Sequence, residues 1–385
     1  MEQEFETPPQ EQPGEAPGQA PSTGAQPAPQ PTVSSAPQGA PSVGFTPVEQ
    51  PGVYAAPPGT YPSFPFGMTP ELFLEKQKIK KTAKMIGIAL LVFMGISVVW
   101  SIIYILVALR MGLSYEKAMQ LIQEPAMMQI LQIVISILLF TLPFVLVFKA
   151  YGERVSDLVP LGKPKKGLVF PMFFMGIAFC GFANIAISIL GEFLSKFGIE
   201  YHVDYGKSPA GWFGFALSLL STVVTPALVE EFACRGLILG SLRKYGDGFA
   251  VMTSSIIFGL LHGNFEQMPF AFLVGLVLGF IAVETGSLWV GVAVHGFNNL
   301  VSVVFEYLLN DLSQTTQNLL YAAFLAICLL LGLAGLFFVR DRNEGFRFQQ
   351  KNMQATEKQK YKWFFTSVPI IIFAVLCLLE SLFYF

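Results

Sequence analysis

The sequence predicts an all-α, polytopic transmembrane bundle, and three observations carry that prediction. Of the 385 residues, 53% are hydrophobic and only 13% charged, with 37 phenylalanines, whereas a soluble chain carries roughly 25% charged residues. Nearly all the apolar residues lie after Met68, in runs of about 17 to 25 residues, long enough to cross a hydrocarbon core as helices. No period-two alternation punctuated by regular turns is present, which excludes a membrane barrel.

Residues 1–70 hold 17 of the 26 prolines, abundant Gln, Ala, Gly and Ser, several Glu and no Lys or Arg. A segment this poor in large apolar side chains cannot build a core. It is expected to be a disordered, Pro-rich cytoplasmic tail, a solvated extension before it is a tether for any partner. About eight or nine spans follow: Met85–Leu109, Pro125–Phe148, Gly167–Gly191, Ser208 through the Glu230-Glu231 pair, Gly248–Asn264, Gln267–Val283, Thr285–Phe305, Leu319–Val339 and Trp363–Leu379. They divide into N-terminal transmembrane helices over 84–205, a core over 208–309 and C-terminal transmembrane helices over 316–385. The first apolar run starts after Lys84 and lacks a short h-region and cleavage site, so no cleavable signal peptide is expected.

Basic residues report orientation in such a chain, because cytoplasmic loops are enriched in them. When alternate loops are assigned to opposite sides, 20 Lys and Arg fall on one side and four (Arg110, Lys117, Lys196 and Lys207) on the other. That segregation places the N-terminus in the cytoplasm and the C-terminus outside. Cysteine says less. Cys180, Cys234, Cys328 and Cys377 all lie in or beside apolar stretches with no C-x-x-C pair, so they read as packed, reduced side chains.

Ionisable residues inside spans are costly and therefore functional candidates. The fourth span carries Glu230-Glu231-Phe232-Ala233-Cys234-Arg235, one turn after Pro226, which should kink or open the helix and free a carbonyl. Arg235 lies four residues after Glu231, so the two can pair and leave Glu230 facing a different neighbour. The fifth span ends in Phe258-Gly259-Leu260-Leu261-His262, and the seventh contains His295-Gly296-Phe297-Asn298-Asn299. The latter stacks His295 over Asn299 at i and i+4. At about 1.5 Å per residue, Glu230 and His262 lie about 20 Å and His295 about 10 Å from the cytoplasmic ends of their helices; tilt would bring them level, where they would need a hydrated cavity between helices.

A carboxylate, two imidazoles and an amide at one level suit hydrolysis by water. Glu230 can take a proton from water that His262 orients, while His295 and Asn299 donate to the developing oxyanion. The same groups leave a metal reading open, with Glu230, His262 and His295 around Zn²⁺ and one position free for water. Asn is a poor zinc ligand and there is no H-E-x-x-H helix, so the metal-free version is preferred. Taken singly, each residue can be a hydrogen-bonded packing group, and Glu231 with Arg235 a buried pair that only fixes helices. Two His and an unpaired Glu on separate spans make that reading much less attractive. Gly275 and Gly279 form a G-x-x-x-G that reads as close packing, His202 with Asp204 and Lys207 as solvated loop, and Glu284 and Glu306 as interfacial.

The order E-E-F-A-C-R, F-G-L-L-H, H-G-F-N-N resembles the CPBP family of intramembrane proteases, which includes the CAAX prenyl endopeptidases and bacteriocin-processing or immunity (Abi) proteins. With Thr285-Gly286-Ser287-Leu288-Trp289 between the last two motifs, the likeness runs from Pro226 to Asn299, about a fifth of the chain. The resemblance implies a membrane-embedded endopeptidase of the prokaryotic plasma membrane. It implies Glu230 as general base, His262 assisting, His295 and Asn299 stabilising the oxyanion, and Glu231 and Arg235 in support. Family members are described both as metalloproteases and as metal-independent glutamate proteases, so the cofactor stays open. Expected partners are membrane lipid and a peptide or membrane-protein substrate, with no nucleic acid. The alternative is a non-proteolytic scaffold or immunity protein of the same family; a transporter ranks last, because no internal repeat is evident.

Overall fold

A computed structural model of the chain describes residues 68–198, 208–340 and 348–382. The tail over residues 1–67 and the loop with His202, Asp204 and Lys207 lie outside the described residues. Among the described residues every regular element is helical. The protein is a multi-pass membrane protein, with seven helices long and apolar enough to cross a bilayer, or eight if one bent pair counts as a single span.

The first helix, α1, runs over Pro70–Arg110 and starts earlier than the apolar run that announces it. Thr69 accepts a hydrogen bond from the Leu72 backbone N–H at 3.2 Å and Pro70 opens the first turn, a start that needs no hydrophobic signal. At 41 residues it is about 60 Å long, twice the hydrocarbon thickness. Helix α2 covers Pro125–Ala150, with Glu124 as cap and Pro125 at its first position. Helix α3 covers Val169–Ser195, and α4 is the apolar span Gly211–Tyr245.

Helix α5, Asp247–Leu260, has only 14 residues, too few for a full crossing at about 1.5 Å each. It bends back through Gly263, held at φ 65, into α6, Gln267–Thr285. Asp247 at the start of α5 and Ala282 near the end of α6 line one cleft with Pro160 and Arg243, so the hairpin enters and leaves at the same end of the bundle. The two apolar runs read from the sequence pack together as an antiparallel helical hairpin with His262 at its bend. The G-x-x-x-G packs this hairpin, Gly275 facing Ser255 and Gly279 facing Val251.

Helix α7, Leu288–Val304, follows a sharp turn at Gly286 (φ 66) and is capped by Ser287. Helix α8 spans Gln314–Arg340. The last apolar stretch is not one straight span: α9, Glu357–Phe365, meets α10, Val368–Ser381, at 72°. Pro369, in the first turn of α10, fits this break, since its nitrogen has no hydrogen for the carbonyl of Phe365 four residues back and so cannot carry α9 onward.

Basic segments from distant parts of the chain meet at one end. Lys244 pairs with Glu153 at 3.0 Å, Lys165 N–H reaches Thr285 O, Asp247 N–H reaches Gln349 O, and Glu75 accepts the Gln354 and Ala355 N–H groups. The segregation of charge read from the sequence is thus a single basic end of the bundle. Elsewhere Val98, Ile102, Leu106, Ile189, Leu330 and Phe337 turn outward, as side chains solvated by lipid do. All four cysteines are free and buried.

Candidate active site

Helix α4 is not a regular α-helix. It passes through a π-helical stretch over Leu219–Val224, an α-helical turn over Thr225–Glu231 and a second π-helical stretch over Phe232–Leu239. Pro226 explains the first irregularity, because its nitrogen has no hydrogen for the carbonyl four residues back, that of Thr222. Wider π turns recur at functional sites because they re-aim side chains. Here they bracket Glu230 and Glu231.

The two glutamates diverge. Glu231 is fully buried, and its Oε1 accepts from Arg235 Nη1 at 2.7 Å and faces His295 Nδ1 at 3.1 Å. Arg235 donates a second bond to Gly275 O at 3.3 Å and lies 4.1 Å from the Phe258 ring centroid. Three α4–α7 and hairpin elements are thereby tied through one guanidinium and one carboxylate. A carboxylate only accepts, so His295 donates through Nδ1 and presents Nε2 to the site. Glu230, 16% exposed, places Oε2 3.9 Å from that Nε2. The sequence foresaw the Glu231–Arg235 pair and the separate neighbour for Glu230. It did not foresee that the pair also grips His295.

His262 sits at the hairpin bend, just beyond the last helical residue of α5. Its Nδ1 lies 2.8 Å from Phe258 O, and since a carbonyl only accepts, Nε2 is left without a proton in the neutral ring. Phe258 wedges between the two imidazoles, 4.9 Å from His262 and 6.1 Å from His295 by ring centroids. Asn264 secures the bend, donating to His262 O at 2.9 Å and accepting from the Gln267 N–H at 2.8 Å. Asn299, one turn beyond His295, donates to Thr222 O at 2.9 Å, and Asn298 donates to Asn299 Oδ1 at 3.3 Å. Thr222, Asn264 and Asn298 were not singled out from the sequence; an Asn in an apolar run was the signal available for the last two.

Glu284 lies at the basic end of the bundle, under cover rather than in contact with solvent. It is buried near the end of α6, with Oε1 lacking a hydrogen-bond partner among the described residues. The end of α6 is covered by the loop that carries Lys165, whose N–H bonds Thr285 O, and sequence position alone does not reveal that cover. Among the described residues no three His, Cys, Asp or Glu side chains gather as a metal site requires. Glu230, His262 and His295 therefore do not form a zinc tripod as they stand.

Residues 212–301 match the sequence profile of the Rce1-like type II CAAX prenyl endopeptidases. This segment is similar to the CPBP family of membrane proteases. It is similar to the Bacillus subtilis (strain 168) protein named "Putative membrane peptidase YdiL", 30% identical over 89 residues, 23% of this chain and 36% of the relative. It is also similar to the "Membrane-embedded CAAX protease MroQ" of Staphylococcus aureus (strain USA300), 27% identical over 179 residues, 42% of this chain and 69% of the relative. The match thus spans about a third of the Bacillus protein's length, 36%. No solved structure matches at comparable significance.

Proposed function

We propose that this chain is an intramembrane endopeptidase that hydrolyses a peptide bond with water activated by Glu230. The observation that supports this most is the convergence of Glu230 on His295 Nε2 at 3.9 Å while Glu231 and Arg235 hold that imidazole from behind. At that separation the two side chains face one small space without a direct hydrogen bond between them.

In this reading the water lies between Glu230 and the Nε2 of His262. Glu230 takes its proton as the oxygen attacks the substrate carbonyl, and His262 accepts the second hydrogen as a hydrogen bond that fixes the line of attack. His295, which takes a proton from solvent at Nε2 to become an imidazolium paired with Glu231, and Asn299 donate to the oxygen on which charge develops. Collapse of the tetrahedral intermediate breaks the C–N bond, and Glu230 returns the proton to the leaving amine. Glu231 and Arg235 orient His295. The N-terminus and the basic end face the cytoplasm in this reading, and the membrane is a prokaryotic plasma membrane. The substrate is a peptide or membrane protein, with no commitment to a prenylated one.

One observation favours the non-proteolytic alternative: Glu231, Arg235 and His295 bind α4, the hairpin and α7 together whether or not chemistry follows. Comparison of wild type with Glu230→Gln in native membranes separates the two readings. A protease loses cleavage in the variant and retains uncleaved substrate on it, with an unchanged fold. Full activity in Glu230→Gln removes the mechanism.

A further inference from the structure

A cavity of about 480 Å³ lies at the basic end, lined on one side by Lys78, Lys81, Thr82 and Met85. These four fall at i, i+3, i+4 and i+7 and so form one stripe of α1. Facing them are Tyr151, Lys244 and Tyr245. The walls fix its level in the membrane. Met85 opens the apolar part of α1, Tyr151 directly follows the end of α2, and Tyr245 closes the α4 span. Three spans leave the hydrocarbon around this cavity, so it sits where acyl chains give way to headgroups.

Its charges do not cancel. Lys244 is matched by Glu153 at 3.0 Å. Glu75 is engaged by two backbone N–H groups, those of Gln354 at 3.0 Å and Ala355 at 2.8 Å. Lys78 and Lys81 are exposed and have no acidic partner among the described residues. Beneath them the Thr82 and Tyr245 hydroxyls are 2.8 Å apart, and Met85 with Met353 gives the cavity an apolar edge. Two free ammonium groups above hydroxyls and an apolar edge fit a phosphate that carries hydrocarbon.

We propose that this cavity binds the phosphate of an anionic phospholipid headgroup, with Lys78 and Lys81 supplying the charge. Basic pockets between transmembrane helices bind such headgroups; free phosphate would match the lysines but leave the apolar edge and the interfacial level unused. The site is independent of the proposed proteolysis.

The test is native mass spectrometry of the full-length protein in detergent, titrated with phosphatidylglycerol or phosphatidylcholine. Phosphatidylglycerol should be retained preferentially, and a Lys78→Gln/Lys81→Gln variant should lose about tenfold in that retention. A Lys80→Gln/Lys84→Gln variant, which removes as much charge from the same helix outside the cavity, should retain it like wild type. All four lysines are exposed, so melting curves should coincide and any loss reports binding. Equal losses in both variants would mean general surface attraction, and equal retention of the two lipids would mean no charge selection; either overturns the proposal. Displacement of the lipid by millimolar inorganic phosphate would overturn the lipid assignment in favour of the free ion.

Discussion

Asn299 donates its side-chain amide to the carbonyl of Thr222 at 2.9 Å, and Thr222 stands four residues before Pro226, which has no N–H to return to it. An imino acid in one helix thus creates the acceptor that orients an amide in another. Restoring the N–H with Pro226→Ala would offer Thr222 a local partner in competition with Asn299. The expected result is a melting temperature that holds or rises, with turnover reduced about tenfold or more as the amide loses its anchor. Unchanged turnover would show that the anchor is dispensable.

Asn299 itself should behave differently. Asn299→Ala strands the Thr222 carbonyl, which costs about 1–3 kcal/mol of stability when the group is buried. If Asn299 also donates to an oxyanion, turnover falls about 10²–10³-fold, much more than partial unfolding of a stable protein accounts for. Turnover measured well below the melting temperature separates the two effects, and a loss proportional to the unfolded fraction would leave Asn299 with a structural role only.

Arg235 makes three contacts that lysine cannot reproduce together: Glu231 at 2.7 Å, Gly275 O at 3.3 Å and the Phe258 face at 4.1 Å. Removing it leaves Glu231 as a buried charge facing only His295. Arg235→Leu is therefore expected to destabilise by about 3–5 kcal/mol, and Arg235→Lys to recover only part of this because it lacks the planar fork. Thermal unfolding in detergent checks the order wild type, Lys, Leu. A stable Leu variant would show that hydrophobic packing substitutes for the pair.

Much of this site was legible because polar residues in apolar runs are few. Glu230, Glu231, Arg235, His262, His295 and Asn299 stand out in spans where each costs free energy to bury, and i, i+4 spacing pairs Glu231 with Arg235 without coordinates. The contact between Glu231 and His295 was not legible, because it joins residues 64 apart whose meeting depends on how α4 and α7 cross. The early start of α1 rests on Thr69 and Pro70, a cap signal outside any apolar window.

Gly291 packs close to Glu231. A Cβ there would lie 3.3 Å from Glu231 Oε2, a buried oxygen without a hydrogen-bond partner among the described residues. Gly291→Ala should push the carboxylate from the line that Arg235 and His295 share, at a cost of about 1–3 kcal/mol. Activity should fall with stability in this variant, and a second-site Glu231→Gln should not add its full separate cost, since both act on one contact. Additive losses would place Gly291 outside the network.

Metal dependence turns on the imidazoles. His262 and His295 each commit Nδ1, to Phe258 O at 2.8 Å and to Glu231 at 3.1 Å, which leaves two Nε2 atoms and Glu230 as the donors a zinc ion would need. Such second-partner bonds also occur behind true metal ligands, so the arrangement does not by itself forbid an ion. Among the described residues the three donors do not make up a metal-holding group; Glu230 faces His295, with Oε2 3.9 Å from Nε2. Purified protein should therefore contain far less than one zinc per chain by elemental analysis and should keep its cleavage activity through chelation and buffer exchange. Activity lost to the chelator and restored by Zn²⁺ alone would mean that the hairpin bend moves His262 toward Glu230 on metal binding. In that case Asn264→Ala, which frees the bend, should change zinc affinity as well as turnover.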